Sequence, residues 1–222
     1  MRIGCLSLLL ALLLMLMMPF VYADVVETAL LKLHLSSQAA ALVVLGILLG
    51  SLVNIPVARV QRQGTVPVDR LGLFGLAGWR PEARRLQTET VVAVNVGGCL
   101  VPCGLAAYEL SQLAKTDAIP ALVAAVLLNV LVCYLVARPV RGVGIAMPGL
   151  IPPLVAATSA YLLAPAYATP VAFVAGTLGP LVGADLLHLR RIEEMDAGML
   201  SIGGAGTFDG ILLSGIVAVY LS

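Results

Sequence analysis

Seven stretches of this chain are long and apolar enough to cross a lipid bilayer, and that fact constrains its fold before any motif does. They lie at about residues 3–22, 37–57, 90–112, 117–137, 143–164, 168–189 and 199–221. A helix rising 1.5 Å per residue needs about 20 residues to cross a hydrocarbon core of roughly 30 Å. Runs this continuous argue for helices rather than the short alternating strands of an outer-membrane barrel. Hydrophobic residues make up 60% of the 222, charged residues only 11%, and mean hydropathy is +1.04. A soluble domain runs at roughly 45–50% apolar and about 25% charged. The expected fold is an all-α polytopic membrane helix bundle of six or seven transmembrane segments, some broken by Gly or Pro.

The uncertainty of one segment comes from residues 1–23. Met1-Arg2, a Leu/Met run and Val21-Tyr22-Ala23 before Asp24 have the layout of a cleavable signal peptide. The length of the run and Pro19 fit an uncleaved signal anchor instead. Residues 24–222 then form a single integral membrane domain.

Charge placement sets the orientation. Of the 13 Lys and Arg residues, Arg2, Arg59, Arg62, Arg70, Arg80, Arg84, Arg85, Arg138, Arg141, Arg190 and Arg191 fall on one side of the alternating spans. Only Lys32 and Lys115 fall on the other. The positive-inside rule places the 58–89, 138–142 and 190–198 connections in the cytoplasm of a cell (inner or plasma) membrane. The N-terminus is cytoplasmic if the first segment is uncleaved, and the C-terminus ends outside. The 58–89 loop carries the apolar patch 71–76 and Trp79-Arg80, which suit an interfacial anchor on lipid headgroups or a lid.

Polar residues at membrane depth mark a candidate site. Asp185 and Asp209 lie in otherwise apolar spans, where a carboxylate costs roughly 2.5–3.5 kcal/mol on insertion scales. Counting from the flanking charges at 1.5 Å per residue puts Asn54, Asn95 and Asp185 roughly 7–10 Å above the cytoplasmic boundary, and Asn129 nearer 14 Å. Asp209 falls deeper. Five segments thus contribute to a cytoplasm-facing cavity or buried polar cluster; the alternative for Asp185 is to snorkel to the interface or pair locally with His188 and Arg190. Asn side chains can serve as ligands there, or simply as interhelical hydrogen bonds.

Glycine and proline punctuate the same region. Gly203, Gly204 and Gly206 permit an unwound stretch, and Pro148, Pro152 and Pro153 preclude an uninterrupted helix over 147–153. Such a break belongs beside the polar cluster rather than against lipid. Leu49-Gly50-Ser51-Leu52-Val53 matches Leu178-Gly179-Pro180-Leu181-Val182, and Asn95-Val96-Gly97-Gly98 matches Ser201-Ile202-Gly203-Gly204. Both pairs run in the same direction, so a duplication would be a parallel repeat.

Several chemistries have no support. Cys5, Cys99, Cys103 and Cys133 all lie in apolar spans and lack the His or acidic neighbours of a zinc site. No nucleotide-binding loop is present, no cofactor is expected, and nothing suggests nucleic acid.

Gly50-Ser51-Leu52-Val53-Asn54-Ile55-Pro56, Val92-Ala93-Val94-Asn95-Val96-Gly97-Gly98, Gly183-Ala184-Asp185-Leu186 and Gly203-Gly204-Ala205-Gly206-Thr207-Phe208-Asp209-Gly210 resemble the hallmark segments of an uncharacterised prokaryotic membrane family, domain of unknown function 1614. The resemblance runs from about residue 38 to the end. It implies a multi-spanning membrane protein and carries no activity. A looser resemblance is to intramembrane aspartyl proteases, which place one Asp on each of two adjacent helices. Their second Asp follows Gly, whereas Asp209 follows Phe208, and Pro152-Pro153-Leu154 precedes both aspartates instead of following them.

Three functions remain. The first is binding or transport of a small solute, proton or cation at Asp209 and Asp185, supported by Asn95, Asn129 and Asn54. The second is an aspartyl protease using Asp185 and Asp209 as a shared-proton dyad. The third is a structural subunit whose polar cluster only fixes helix packing. The bilayer is the one partner common to all three, and the sequence is silent on oligomeric state.

Overall fold

In a computed structural model the described residues are 5–67, 83–141, 144–191, 195, 198–204 and 210–222. Seven α-helices dominate: α1 (Cys5–Lys32), α2 (Ser37–Gly50), α3 (Val101–Leu113), α4 (Ile119–Val136), α5 (Ile151–Leu163), α6 (Ala168–Leu178) and α7 (Gly210–Leu221). Three continuous helical stretches are long and apolar enough to cross a membrane: Leu12–Lys32, Ile119–Val136 and Pro165–Arg191. Shorter apolar helices are Ser37–Gly50, Ile151–Leu163 and Gly210–Leu221.

The chain is mostly helical, as expected, but the all-α reading needs one correction, because two small sheets join the helices. Strands β1 (Asn54–Pro67) and β2 (Ala83–Asn95) form an antiparallel pair, and β5 (Met199–Ile202) joins β2 in parallel. A two-stranded ribbon, β3 (Arg138–Val140) with β4 (Gly144–Ala146), lies between α4 and α5. Four of the apolar runs are therefore composite. The 37–57 run is helical only to Gly50, and the 90–112 run is strand to Asn95 before a π-turn, Val96–Leu100, leads into α3. The 143–164 and 199–221 runs likewise begin as β4 and β5 before their helices.

The cause is local chemistry that hydropathy averages away. Thr88, Thr90, Val91, Val92 and Val94 are β-branched and suit a pleated surface better than a helix. Pro56 lacks a ladder donor and sits where the β1–β2 register shifts, on an edge strand. The 58–89 connection is thus largely a hairpin, while the 71–76 patch and Trp79 at its tip lie outside the described residues.

Two cores result. The larger joins all the helices, with Leu30, Leu122, Val171, Phe173, Val174 and Ile216 inside. The smaller gathers Val92, Cys99, Met195, Leu200, Ile202 and Ile211, with Val60, Ile145 and Leu189 packed against it. Elements flanking Arg59, Arg138 and Arg190 therefore converge on the smaller core. Far from it in sequence, the Lys32 ammonium donates to the Val219 and Tyr220 carbonyls at 3.3 and 3.4 Å, completing the C-terminal end of α7.

A similar order occurs twice: α1, α2, the hairpin β1–β2, Gly97-Gly98, α3, and then α5, α6, β5, Gly203-Gly204, α7, the second series having no described counterpart of β1. Strands β2 and β5 are parallel neighbours, with Ala93 opposite Ser201 and Val94 opposite Ile202.

Backbones touch where α2 passes the π-turn. A Cβ on Gly97 would overlap the Ile47 carbonyl oxygen and the Ser51 amide, both of which are backbone atoms that cannot swing aside. Gly97→Ala is expected to destabilise the protein by about 1–3 kcal/mol, the usual range for overpacking. Gly104→Ala, in α3 with open space around its Cβ, is expected to be neutral or to stabilise by up to about 1 kcal/mol. Thermal unfolding of the two variants in detergent checks the contrast.

Candidate functional site

Three interrupted elements meet around one cavity of about 390 Å³. The first interruption is Met147–Leu150, between β4 and α5. Pro152 and Pro153 occupy the first turn of α5, where a missing N–H is harmless, so they start the helix and the break falls just before them. The second is in α6, which widens into a π-helix over Gly179–Leu186. Pro180 has no N–H to offer the Gly176 carbonyl, and a π-turn lets the ladder skip that residue. The third follows β5, where Gly203 takes a left-handed φ of +72° and the chain turns toward α7. A Cβ there would lie 2.8 Å from the Cys99 amide nitrogen and 2.6 Å from its Cβ, so the position is closed to other residues on both counts.

Asp185 lies on the π-helix and faces this cavity, partly buried. It is the one ionisable side chain among the described lining residues. Asp185 and Gly203 line the same cavity, and the Gly203 backbone N–H interacts favourably with the carboxylate, which brings the second and third interruptions together. His188 is turned elsewhere: its Nδ1 lies 3.1 Å from the Gly183 carbonyl oxygen, and its ring packs at 5.0 Å on Tyr134. Asp209 and Gly206 lie outside the described residues, and with them the Asp185–Asp209 separation on which a shared-proton dyad depends.

The asparagines divide into two groups. Asn54 and Asn95 stand opposite each other at the ends of β1 and β2. Asn95 Nδ2 donates to the Ser51 carbonyl at 2.8 Å and to Asn54 Oδ1 at 3.2 Å. Asn95 Oδ1 accepts from the Gly98 N–H at 2.7 Å, capping the π-turn. Ser201 Oγ donates to Asn54 Oδ1 at 2.6 Å, which links the pair to the cavity wall. Asn129 is fully buried on α4 and does not line the cavity. Its Nδ2 donates to the Ala175 carbonyl at 2.8 Å, and its Oδ1 accepts from Cys133 Sγ at 3.7 Å. It fastens α4 to the last turn of α6 above the π-helix, an interhelical bond of the kind worth about 0.6 kcal/mol on average in membranes.

Sequence reasoning missed two residues. Ser201 contributes a hydroxyl to the cavity wall, and its match to Asn95 across the repeat was the available signal. Glu109 on α3 is buried, and its Oε1 has no hydrogen-bond partner among the described residues. An acid inside the 90–112 run was visible in the sequence, but its nearness to the end of the span hid its burial.

Residues 48–221 match the family described as "Protein of unknown function (DUF1614)". The chain belongs to that family. No curated protein and no solved structure matches it. The matched region takes in all three interruptions, Asp185 and the Asn54–Asn95–Ser201 network. Family membership assigns none of them a role.

The Asn95 amide is set as a double donor toward oxygen acceptors. Asn95→Asp would keep the Gly98 cap but place carboxylate oxygens against the Ser51 carbonyl and Asn54 Oδ1. Asn95 is itself buried, and a buried polar group facing only acceptors typically costs about 1–3 kcal/mol, so Asn95→Asp is expected to lower the unfolding midpoint more than Asn95→Ala. Parallel thermal melts in detergent check the order.

Proposed function

We propose that this protein is a multi-pass membrane protein that binds and carries a small solute or cation at the Asp185 cavity. The observation that supports this reading is the convergence of three backbone interruptions on one carboxylate-bearing cavity. Non-helical backbone at membrane depth is tolerated where it is buried in protein or lines an aqueous cavity, and discontinuous helices of this kind form midplane sites in transporters. An ionisable residue facing such a cavity rather than lipid fits a solute or ion pathway. The described elements beside Arg59, Arg138 and Arg190 pack around the core next to the cavity, so the positive-inside rule would open it toward the cytoplasm.

Two experiments test this. In proteoliposomes incubated with a small-metabolite mixture and read by mass spectrometry, wild type is expected to accumulate at least one solute that Asp185→Asn does not. Identical profiles for wild type, Asp185→Asn and empty liposomes would overturn the reading. For orientation, Ser201→Cys in a cysteine-free background is expected to react with a membrane-impermeant maleimide in inside-out vesicles and not in right-side-out ones. The reverse pattern would invert the topology.

A further inference from the structure

We infer that the Asp185 cavity takes an organic ammonium with an apolar body. The inference rests on reading the cavity as a solute site, and goes further by naming the chemistry of the solute. The first argument is the polarity of the wall. Among the described lining side chains the polar ones are Asp185 and Ser201. Asp185 is a carboxylate, and its interaction with the Gly203 N–H leaves further acceptor positions unused. Ser201 has committed its proton to Asn54 at 2.6 Å, so its oxygen can offer only lone pairs to the cavity. Both groups thus present acceptors, and no Lys, Arg or His is among the described lining residues. An anion would meet like charge and no side-chain donor. A cation rich in N–H groups meets its complement.

The second argument separates an organic cation from a bare ion. Calcium takes six to eight oxygen ligands, and magnesium needs close octahedral geometry. Among the described residues no group of three His, Cys, Asp or Glu side chains could hold a metal. The remaining side chains of the described wall are hydrocarbon, with Ile145, Met147, Leu200, Ile211 and Leu213 prominent among stretches of glycine backbone. At about 390 Å³ the cavity falls in the range of small-molecule pockets, which run from about 300 to 1,000 Å³. A lone ion would leave most of that apolar surface facing water. An ammonium joined to a hydrocarbon body satisfies the carboxylate and covers the wall together.

The full-length protein in detergent is tested with 2-phenylethylamine, and with 2-phenylethanol and phenylacetate as neutral and anionic analogues of similar shape. Thermal shift and calorimetric titration are the readouts, with sodium and calcium chloride as ionic controls. The amine is expected to raise the unfolding midpoint saturably while the two analogues and the salts do not. Asp185→Asn is expected to weaken amine binding at least tenfold. Leu213→Trp, which fills the cavity without touching the carboxylate, is expected to weaken it as well, so the test does not depend on one variant folding. Equal responses to the alcohol or the acid, an amine response unchanged in both variants, or no amine response at all would overturn the inference. Asp185-dependent uptake in proteoliposomes persisting without amine binding would refute the ligand class alone, leaving the solute-site reading intact.

Discussion

Broken backbone in a water-poor interior must find partners within the protein, and the rest of this structure follows from that requirement. An unsatisfied N–H or C=O costs several kcal/mol in hydrocarbon. The chain meets the demand by gathering its interruptions where each supplies what another lacks. Asn95 serves the Ser51 carbonyl at the end of α2 and the Gly98 N–H at the start of the π-turn. Gly203 directs its N–H to Asp185, while Asn129 reaches the Ala175 carbonyl just before the π-helix. The sheet does the same on a larger scale, since β5 follows a distant helix yet pairs with β2.

Close approach is what makes this exchange geometrically feasible. The backbones of α2 and the π-turn touch at Gly50 and Gly97, and Gly203 rests on Gly98 and Cys99. Any side chain at these points would push apart the strands and turns whose hydrogen bonds satisfy one another. The two Gly-Gly turns thereby lie against each other, Gly203 against Gly98. The cavity opens beside them, so the site and the packing have one origin.

The long helices were legible because their apolar runs have few competing signals. The 117–137 run emerges as Ile119–Val136, and 168–189 lies within the continuous helical stretch Pro165–Arg191. The break before α5 was legible too, because proline removes a donor wherever it stands. The sheet was not. A continuous apolar run reads alike as a buried strand or a buried helix, so the 90–112 run concealed the change at Asn95. Depth counted at a helical rise also lost its meaning for Asn54, which begins a strand and is exposed. Of the five polar residues grouped into one cluster, Asn54 and Asn95 are hydrogen-bonded, Asp185 lines one cavity with their neighbour Ser201, and Asp209 lies outside the described residues. The grouping did not hold for Asn129, whose hydrogen bonds point into the α4–α6 contact instead.

The sequence by itself determined which stretches are apolar, that the arginines fall between them, where proline and glycine forbid regular helix, and to which family the chain belongs. Those are properties of composition and of single residues, and they survive whatever the chain folds against. Only the tertiary structure decided that β5 lies beside β2, that Gly203 meets Asp185, and that Asn95 is occupied with backbone while Asp185 faces a cavity. Each of these joins residues far apart in sequence, and hydrogen bonds reach only about 3 Å. No pattern along the chain could reveal which distant groups would come within that reach.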